Sequence, residues 1–482
     1  MFKSLSFGSS APPRGLKWRS NTKFIVFTVG MGAFVDLFLY GLIVPILPFL
    51  LKDRIGMQDS QIQSTTSTLL AVYAAASCVA SPITGILSDK LFSTRKLPFV
   101  LGLIMLALAT VLLALGQSVG ILALARFLQG ASGGVVWTIG IAIIKDSVDQ
   151  ADLGKTMGTV FSFISVAGLF APILGGVLYA KAGYEGVFGL GIGLVVVDFL
   201  LRFLMIEKKV AETYLHGQEQ GASQSDQSGD DTEETPLLAN GTSSQKQYVL
   251  SDPKNRLIRA LPILLIFKDP GLLTAIWIAF MQAALLGAFD ATVPLVASRE
   301  FGFDSLRAGL LFIPLGSADF LLGPVFGWCV DRYGTRLPAV AGFTWLVPAL
   351  ILLRLPTDSP IVENLDQGQL IALFASMLAL NGMGLAAINA PSIVEASSLL
   401  ENYSKANKHI FNEGAPYAQL FGINSMLFSG GLTVGPLVAG GLREKIGYGN
   451  MNAVLAGVCA LTAVMSFLFL GRKEEVLSDR GE

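Results

Sequence analysis

Cysteine, histidine and charge are all scarce in this 482-residue chain. The three cysteines, Cys78, Cys329 and Cys459, each sit inside an apolar run, and the two histidines, His216 and His409, stand far apart in polar segments. That distribution offers neither a disulfide framework nor the ligand spacing of a metal site. Charged residues make up 14% of the chain and the net charge is −1, without the basic excess that a nucleic-acid partner requires. No catalytic constellation lies outside the apolar runs, so the sequence supports no enzyme and calls for no cofactor. What is abundant is apolar. Hydrophobic residues reach 52% and the mean hydropathy is +0.61, more than a soluble core of this length needs. The chain reads as one that takes lipid as its solvent.

An internal repeat organises it. Pro82-Ile-Thr-Gly85-Ile-Leu-Ser-Asp89 recurs as Pro324-Val-Phe-Gly327-Trp-Cys-Val-Asp331 at one offset (324 − 82 = 331 − 89 = 242), and each copy runs on into basic residues, Arg95 and Lys96 or Arg332 and Arg336. Duplication of this kind is how secondary transporters are commonly built. Counting apolar runs of about 20 residues predicts an all-α integral membrane protein with twelve transmembrane helices in two pseudo-symmetric bundles of six. The first bundle is expected over 24–206, with spans at 24–50, 65–88, 97–116, 119–144, 156–180 and 184–206. The second is expected over 270–470, with spans at 270–297, 306–330, 337–355, 368–399, 416–442 and 448–470. Residues 207–269 between them are too polar to bury anything and read as a largely disordered linker. The tails are 1–23 and 471–482. The first run is too long for a signal-peptide core and no small-residue cleavage site follows it, so it reads as a retained span. With the N-terminus cytoplasmic, 17 Lys and Arg fall in the tails and short cytoplasmic loops against 8 in the opposite loops, which predicts both termini on the cytoplasmic side.

Charges inside spans are costly, roughly 2.5 to 3.5 kcal/mol each at a helix centre, and are read as functional first. Asp36 lies mid-span between Phe34, Val35, Leu37 and Phe38 and is the first choice for proton coupling or cation binding. Arg126, Asp290, Asp319 and Glu395 are the further candidates, with Glu395 ranked below Asp36 because it nears the end of its span. Asp198 and Arg202 are four residues apart on one helix face and are read instead as a structural pair.

Several segments carry a resemblance. Asp36-Leu-Phe-Leu-Tyr40-Gly-Leu-Ile-Val-Pro45-Ile-Leu-Pro48 in span 1, the Gly85 to Lys96 segment, Arg126-Phe-Leu-Gln129-Gly130 in span 4 and Gly168-Leu-Phe-Ala-Pro172-Ile-Leu-Gly175-Gly176 in span 5 are quoted as they stand here. Gly435-Pro436 with Gly440-Gly441 echoes the last of them in span 11. Together they make the chain look like a major facilitator superfamily transporter, of the twelve-span drug:proton antiporter branch that includes vesicular monoamine transporters and filamentous-fungal members. The resemblance implies a gate in Gly85, Asp89, Arg95, Gly327, Asp331 and Arg332, with Asp89 and Arg95 bridging the halves in the outward-facing state; the plain alternative is ordinary solvated charge. It implies a proton-relay role for Arg126, against that of a hydrogen-bond hub, and an acid at Asp290 near the mouth. For Gly168, Pro172, Gly175, Gly176, Gly435 and Pro436 it implies a helix that seals against leak, and close packing alone is the competing reading.

Departures from the monoamine pattern matter too. Where that family has a lysine in span 2 and acids in spans 10 and 11, this chain has Tyr73, Asn389 and Ser425. Asn381, Asn389, Asn424 and Ser425 suit a neutral or weakly ionised ligand held by hydrogen bonds, and Tyr40, Tyr73, Gln129, Trp137 and Phe320 complete the expected cavity. The expected partners are therefore a small amphipathic organic substrate, protons and the lipid bilayer, for a chain working as a monomer in the plasma membrane or in a vacuolar or endosomal membrane. Sugar uptake is the alternative, set back by Ile206-Glu-Lys-Lys and Gly471-Arg-Lys-Glu where sugar porters carry their own motifs. A non-transporting sensor comes third.

Overall fold

A backbone in hydrocarbon must satisfy its own N–H and C=O groups, and an apolar chain meets that demand as helix. The computed structural model describes residues 15–91, 95–148, 153–208, 210–211, 214, 248, 250, 262–358, 366–411 and 417–471, and among them there is no strand. Eleven helices are long and apolar enough to cross a membrane. One of these is double, because Leu153–Leu204 is broken at Gly183, whose φ of 64° and ψ of −161° leave the helical region. Splitting it there gives the twelve expected spans: α1 (Thr22–Ile43), α2 (Asp59–Leu91), α3 (Lys96–Leu115), α4 (Val119–Ser147), α5 and α6 (the parts of Leu153–Leu204 before and after Gly183), α7 (Pro270–Phe301), α8 (Phe312–Tyr333), α9 (Arg336–Leu352), α10 (Gln367–Asn389), α11 (Tyr417–Ile446) and α12 (Tyr448–Phe469). Lipid-facing surface is plain on α3, where Leu97, Leu101, Ile104, Leu108, Val111 and Leu115 form an exposed stripe at helical spacing.

Three expected boundaries move, each at a proline. Span 1 ends at Ile43 and not near 50, because Pro45 has no N–H to continue the ladder and the chain restarts as Leu47–Asp53. Span 10 ends at Asn389 and resumes as Pro391–Ala406. Span 8 divides into Ser305–Leu310 and α8, with Pro314 in its first turn. Part of the tail and linker is also ordered. The short helix Leu16–Arg19 packs under α6, with Arg19 Nε donating to the Leu204 carbonyl at 2.6 Å. Tyr248 of the linker is buried, and Asn407 both donates to its carbonyl (2.7 Å) and accepts from the Leu250 N–H (2.7 Å). The linker segment Glu233-Glu-Thr-Pro-Leu237-Leu238, which in sequence resembles an acidic dileucine sorting signal, lies outside the described residues.

The sequence repeat is also a packing repeat. A Cβ on Gly175 would collide with the Leu42 carbonyl, and one on Gly435 with the Ala284 carbonyl, so α5 lies on α1 as α11 lies on α7. Likewise Gly130 abuts the Tyr73 carbonyl and Gly382 the Leu315 carbonyl, pairing α4 with α2 and α10 with α8. The contacted carbonyls are themselves 242 residues apart (284 − 42 = 315 − 73 = 242), the offset of the motif. Across the seam between the halves, Ser67 of α2 meets Gly440 of α11 and Gly309 meets Gly176 of α5, again at 242 (309 − 67).

Inside the first half, Arg202 and Asp198 form a buried two-pronged ion pair at 3.0 and 2.6 Å. Arg202 Nη1 also donates to the Phe99 carbonyl at 2.8 Å while the guanidinium lies 3.8 Å from the Phe99 ring centroid. The pair thereby ties α6 to α3, beside Gly32 of α1. Asp198→Asn, which strands a buried cation, is expected to cost about 3–5 kcal/mol in a thermal or denaturant melt of the purified protein. Gly130→Ala and Gly382→Ala are each expected to cost about 1–3 kcal/mol by overpacking. Gly193→Ala, with nothing within 4 Å of the added carbon, should leave the melt unchanged.

Candidate functional site

A polar cluster forms where α1, α2, α4 and α7 converge. Asp36 faces inward from α1 and is fully buried; its Oδ2 accepts from the Tyr73 hydroxyl of α2 at 3.0 Å, and its Oδ1 has no partner among the described residues. Gly133 of α4 makes room for it, since a Cβ there would stand 2.9 Å from Asp36 Oδ2. One turn along α1, the Tyr40 ring lies 4.7 Å from that of Tyr73, and its hydroxyl crosses the seam to Asp290 Oδ2 of α7 at 3.0 Å. Arg126 of α4 is fully buried, with its guanidinium carbon 5.5 and 6.0 Å from the Tyr40 and Tyr73 ring centroids. Its Nη1 donates to Gln129 Oε1 at 2.8 Å, while Nε and Nη2 have no partner among the described residues. Six of the residues expected from sequence thus meet in one place.

Other expected residues stand elsewhere. Asn389 is exposed and accepts from Gln282 of α7 at 2.9 Å. Asn424 and Ser425 are half-buried in α11, and Asn424 Oδ1 has no partner among the described residues. Trp137 is half-buried on α4 and Phe320 exposed on α8. Asn381 does not line a cavity. It is fully buried and its amide donates to the Ala349 and Met377 carbonyls at 3.0 and 2.8 Å, which joins α10 to α9. Glu395 is likewise removed from the cluster: it accepts from Thr335 and from the Gly471 N–H (3.2 Å), at the end of the bundle where the chain termini lie. The side chains of Asp89 and Asp319 lie outside the described ones.

The seam is fastened at the end remote from the termini. Gln63 of α2 accepts from Arg443 Nη1 of α11 at 2.5 Å and donates to the Ala291 carbonyl of α7 at 3.1 Å. Arg299 Nη2 donates to the Asp59 carbonyl at 2.6 Å, and Ser305 Oγ donates to the Gly176 carbonyl at 3.4 Å. Pro172 and Gly176 abut Gly309 there, Pro436 packs on Gly287 within the second half, and Gly168 has no neighbour within 4 Å. Midway, Ser429 donates to Ser77 at 3.3 Å. Towards the termini, a Cβ on Gly85 would meet Thr138 of its own half, Asp331 and Arg332 are exposed, and Arg95 pairs with Asp146 of α4 at 3.4 Å. Gln63, Asp146 and Arg443 were missed from sequence because they sit near span ends, where polar residues are ordinary, and Gln282 because an uncharged amide in mid-span gives a weaker signal than a charge. The 242 offset that equates Gln63 with Ser305 was the available signal.

Such a cluster can hold and release a proton, since a carboxyl with a free oxygen sits beside two phenols and a permanently charged guanidinium. Comparison with known proteins agrees with the architecture. The family model described as Major Facilitator Superfamily matches residues 29–408. The MFS-type transporter ppzB of Metarhizium rileyi is 41% identical over 95% of this chain and 97% of its own, and the vesicular acetylcholine transporter of Drosophila melanogaster is 23% identical over 90% of this chain and 69% of its own. The crystal structure of a D-xylose-proton symporter superposes with a TM-score of 0.65 at 12% identity, covering 94% of this chain and 98% of that one. Twelve apolar helices, a repeat that packs as it reads and a family match over most of the length lead to one conclusion: the chain belongs to the major facilitator superfamily and is a multi-pass membrane protein of secondary transport, a transporter rather than an enzyme.

Proposed function

We propose that the protein is a proton-coupled antiporter that exports or sequesters small amphipathic organic molecules by alternating access. The observation that supports this most is Asp36, wholly removed from water yet left with one unpartnered carboxylate oxygen. The phenols of Tyr73 and Tyr40 lead from it to Asp290 across the seam. Rocking of the two halves about this cluster would alternate the side to which Asp36 is open. With both termini on the cytoplasmic side, as the placement of Lys and Arg suggests, the fastened end faces outward. The membrane in view is the plasma membrane or a vacuolar or endosomal one, and the working unit a monomer.

Each unit of pH gradient supplies about 1.4 kcal/mol per proton, enough for roughly tenfold accumulation at one-for-one exchange. In proteoliposomes, Asp36→Asn is expected to abolish accumulation driven by an imposed pH gradient while preserving part of the substrate exchange at equal pH. Accumulation equal to the wild type would remove Asp36 from coupling, and accumulation with the proton flow in place of against it would make the protein a symporter.

Loss of the Gln63 amide should loosen the fastened end. Gln63→Ala is expected to raise labelling of a cysteine placed at Ala291 by a membrane-impermeant maleimide by several-fold; unchanged labelling would mean that Gln63 does not hold the seam.

A further inference from the structure

Among the described residues two arginines are fully buried, and the difference between them points to a ligand. In Arg202, Nη1 donates to a carbonyl oxygen, that of Phe99, and Nε with Nη2 grips the Asp198 carboxylate at 3.0 and 2.6 Å. Arg126 repeats the first half of this arrangement: its Nη1 donates to a carbonyl oxygen, that of the Gln129 side chain, at 2.8 Å. The second half is open, because Nε and Nη2 have no partner among the described residues. Those two N–H groups point the same way in the guanidinium plane and form the edge that fits a carboxylate with two parallel hydrogen bonds. Both acids of the cluster are held away from it by phenols, Asp36 by Tyr73 and Asp290 by Tyr40.

We propose that the transported molecule carries an oxyanion, a carboxylate foremost, and that Arg126 binds it through Nε–H and Nη2–H with the apolar body of the ligand against the Tyr40 and Tyr73 rings. This names the substrate class of the antiporter read above and rests on that reading for the claim that the bound molecule is moved. Arg126 is a substrate-binding residue in this account, and Gln129 is the positioning residue that holds Nη1 and so turns the open edge. The path to the edge is the seam, where the Tyr40 to Asp290 hydrogen bond is the link between halves that lies nearest the guanidinium. A cationic ligand would be drawn to Asp36 and repelled by Arg126, so the head group of the ligand decides between the two.

The test is equilibrium binding, with no gradient, to the full-length protein in lipid nanodiscs. The probes are radiolabelled benzoate, 1-naphthoate and indole-3-acetate, set against their primary amides and against tryptamine. The wild type is expected to bind at least one carboxylate about tenfold or more tightly than its amide, and tryptamine no better than the amide. Arg126→Gln should erase the preference for carboxylate over amide, and Arg126→Lys, a point charge without the fork, should restore only part of it. Because binding is measured with no gradient, its outcome is separate from that of the coupling assignment, which the accumulation assay on Asp36→Asn reads. Equal binding of acid and amide by the wild type, a preference for tryptamine, or a carboxylate preference that survives in Arg126→Gln would each overturn the proposal. The wild-type comparison stands even where an arginine variant does not fold.

Discussion

Inside a bilayer no water completes a hydrogen bond, and almost everything in this molecule follows from that constraint. It makes the chain helical and forces each buried charge to find its partner within the protein. The first half shows both ways of meeting it. Arg202 is satisfied on every side, by Asp198 and the Phe99 carbonyl, and so acts as a fixed rivet between helices. Arg126 and Asp36 are satisfied on one side only. A structural charge completes its bonds in the resting fold; a working one leaves a bond to be made by something that arrives.

Close helix contact supplies the frame for this. The glycines of α4, α5, α10 and α11 let one backbone rest on the carbonyls of another, and the contacts repeat at the offset of the sequence motif. The symmetry is broken where function would need it broken. Gln63 and Ser305 occupy equivalent places, but Gln63 meets the charged Arg443 whereas Ser305 meets the Gly176 backbone. One seam thus carries a charge-assisted bond and the other a long neutral one. At the opposite end Arg95 pairs with Asp146 of its own half.

Much of this was legible in the sequence, for reasons of period and polarity. Apolar length fixed the number of spans and even the break between the fifth and sixth, because Gly183 interrupts the run. The convergence of Asp36, Tyr40, Tyr73, Arg126, Gln129 and Asp290 could be anticipated because polar side chains in apolar helices turn towards one another. Where the reading failed, polarity was present without a direction. Asn381 turns to its neighbours' carbonyls and Glu395 caps the terminal end, and nothing in a linear sequence tells an inward-facing amide from a cavity-facing one. The place of α1's end was misjudged for a simpler reason: Leu47, Leu50 and Leu51 continue the apolar run after Pro45 has ended the helix.

The central claim is that Asp36 changes its protonation during transport, and infrared difference spectroscopy of the protein in lipid observes this directly. Spectra recorded between mildly acidic and neutral pH should show a protonated-carboxyl band that disappears as pH rises. The account predicts that this band is absent from Asp36→Asn and that bound substrate shifts the pH at which it disappears. A band that is identical in wild type and variant, with no response to substrate, would contradict it.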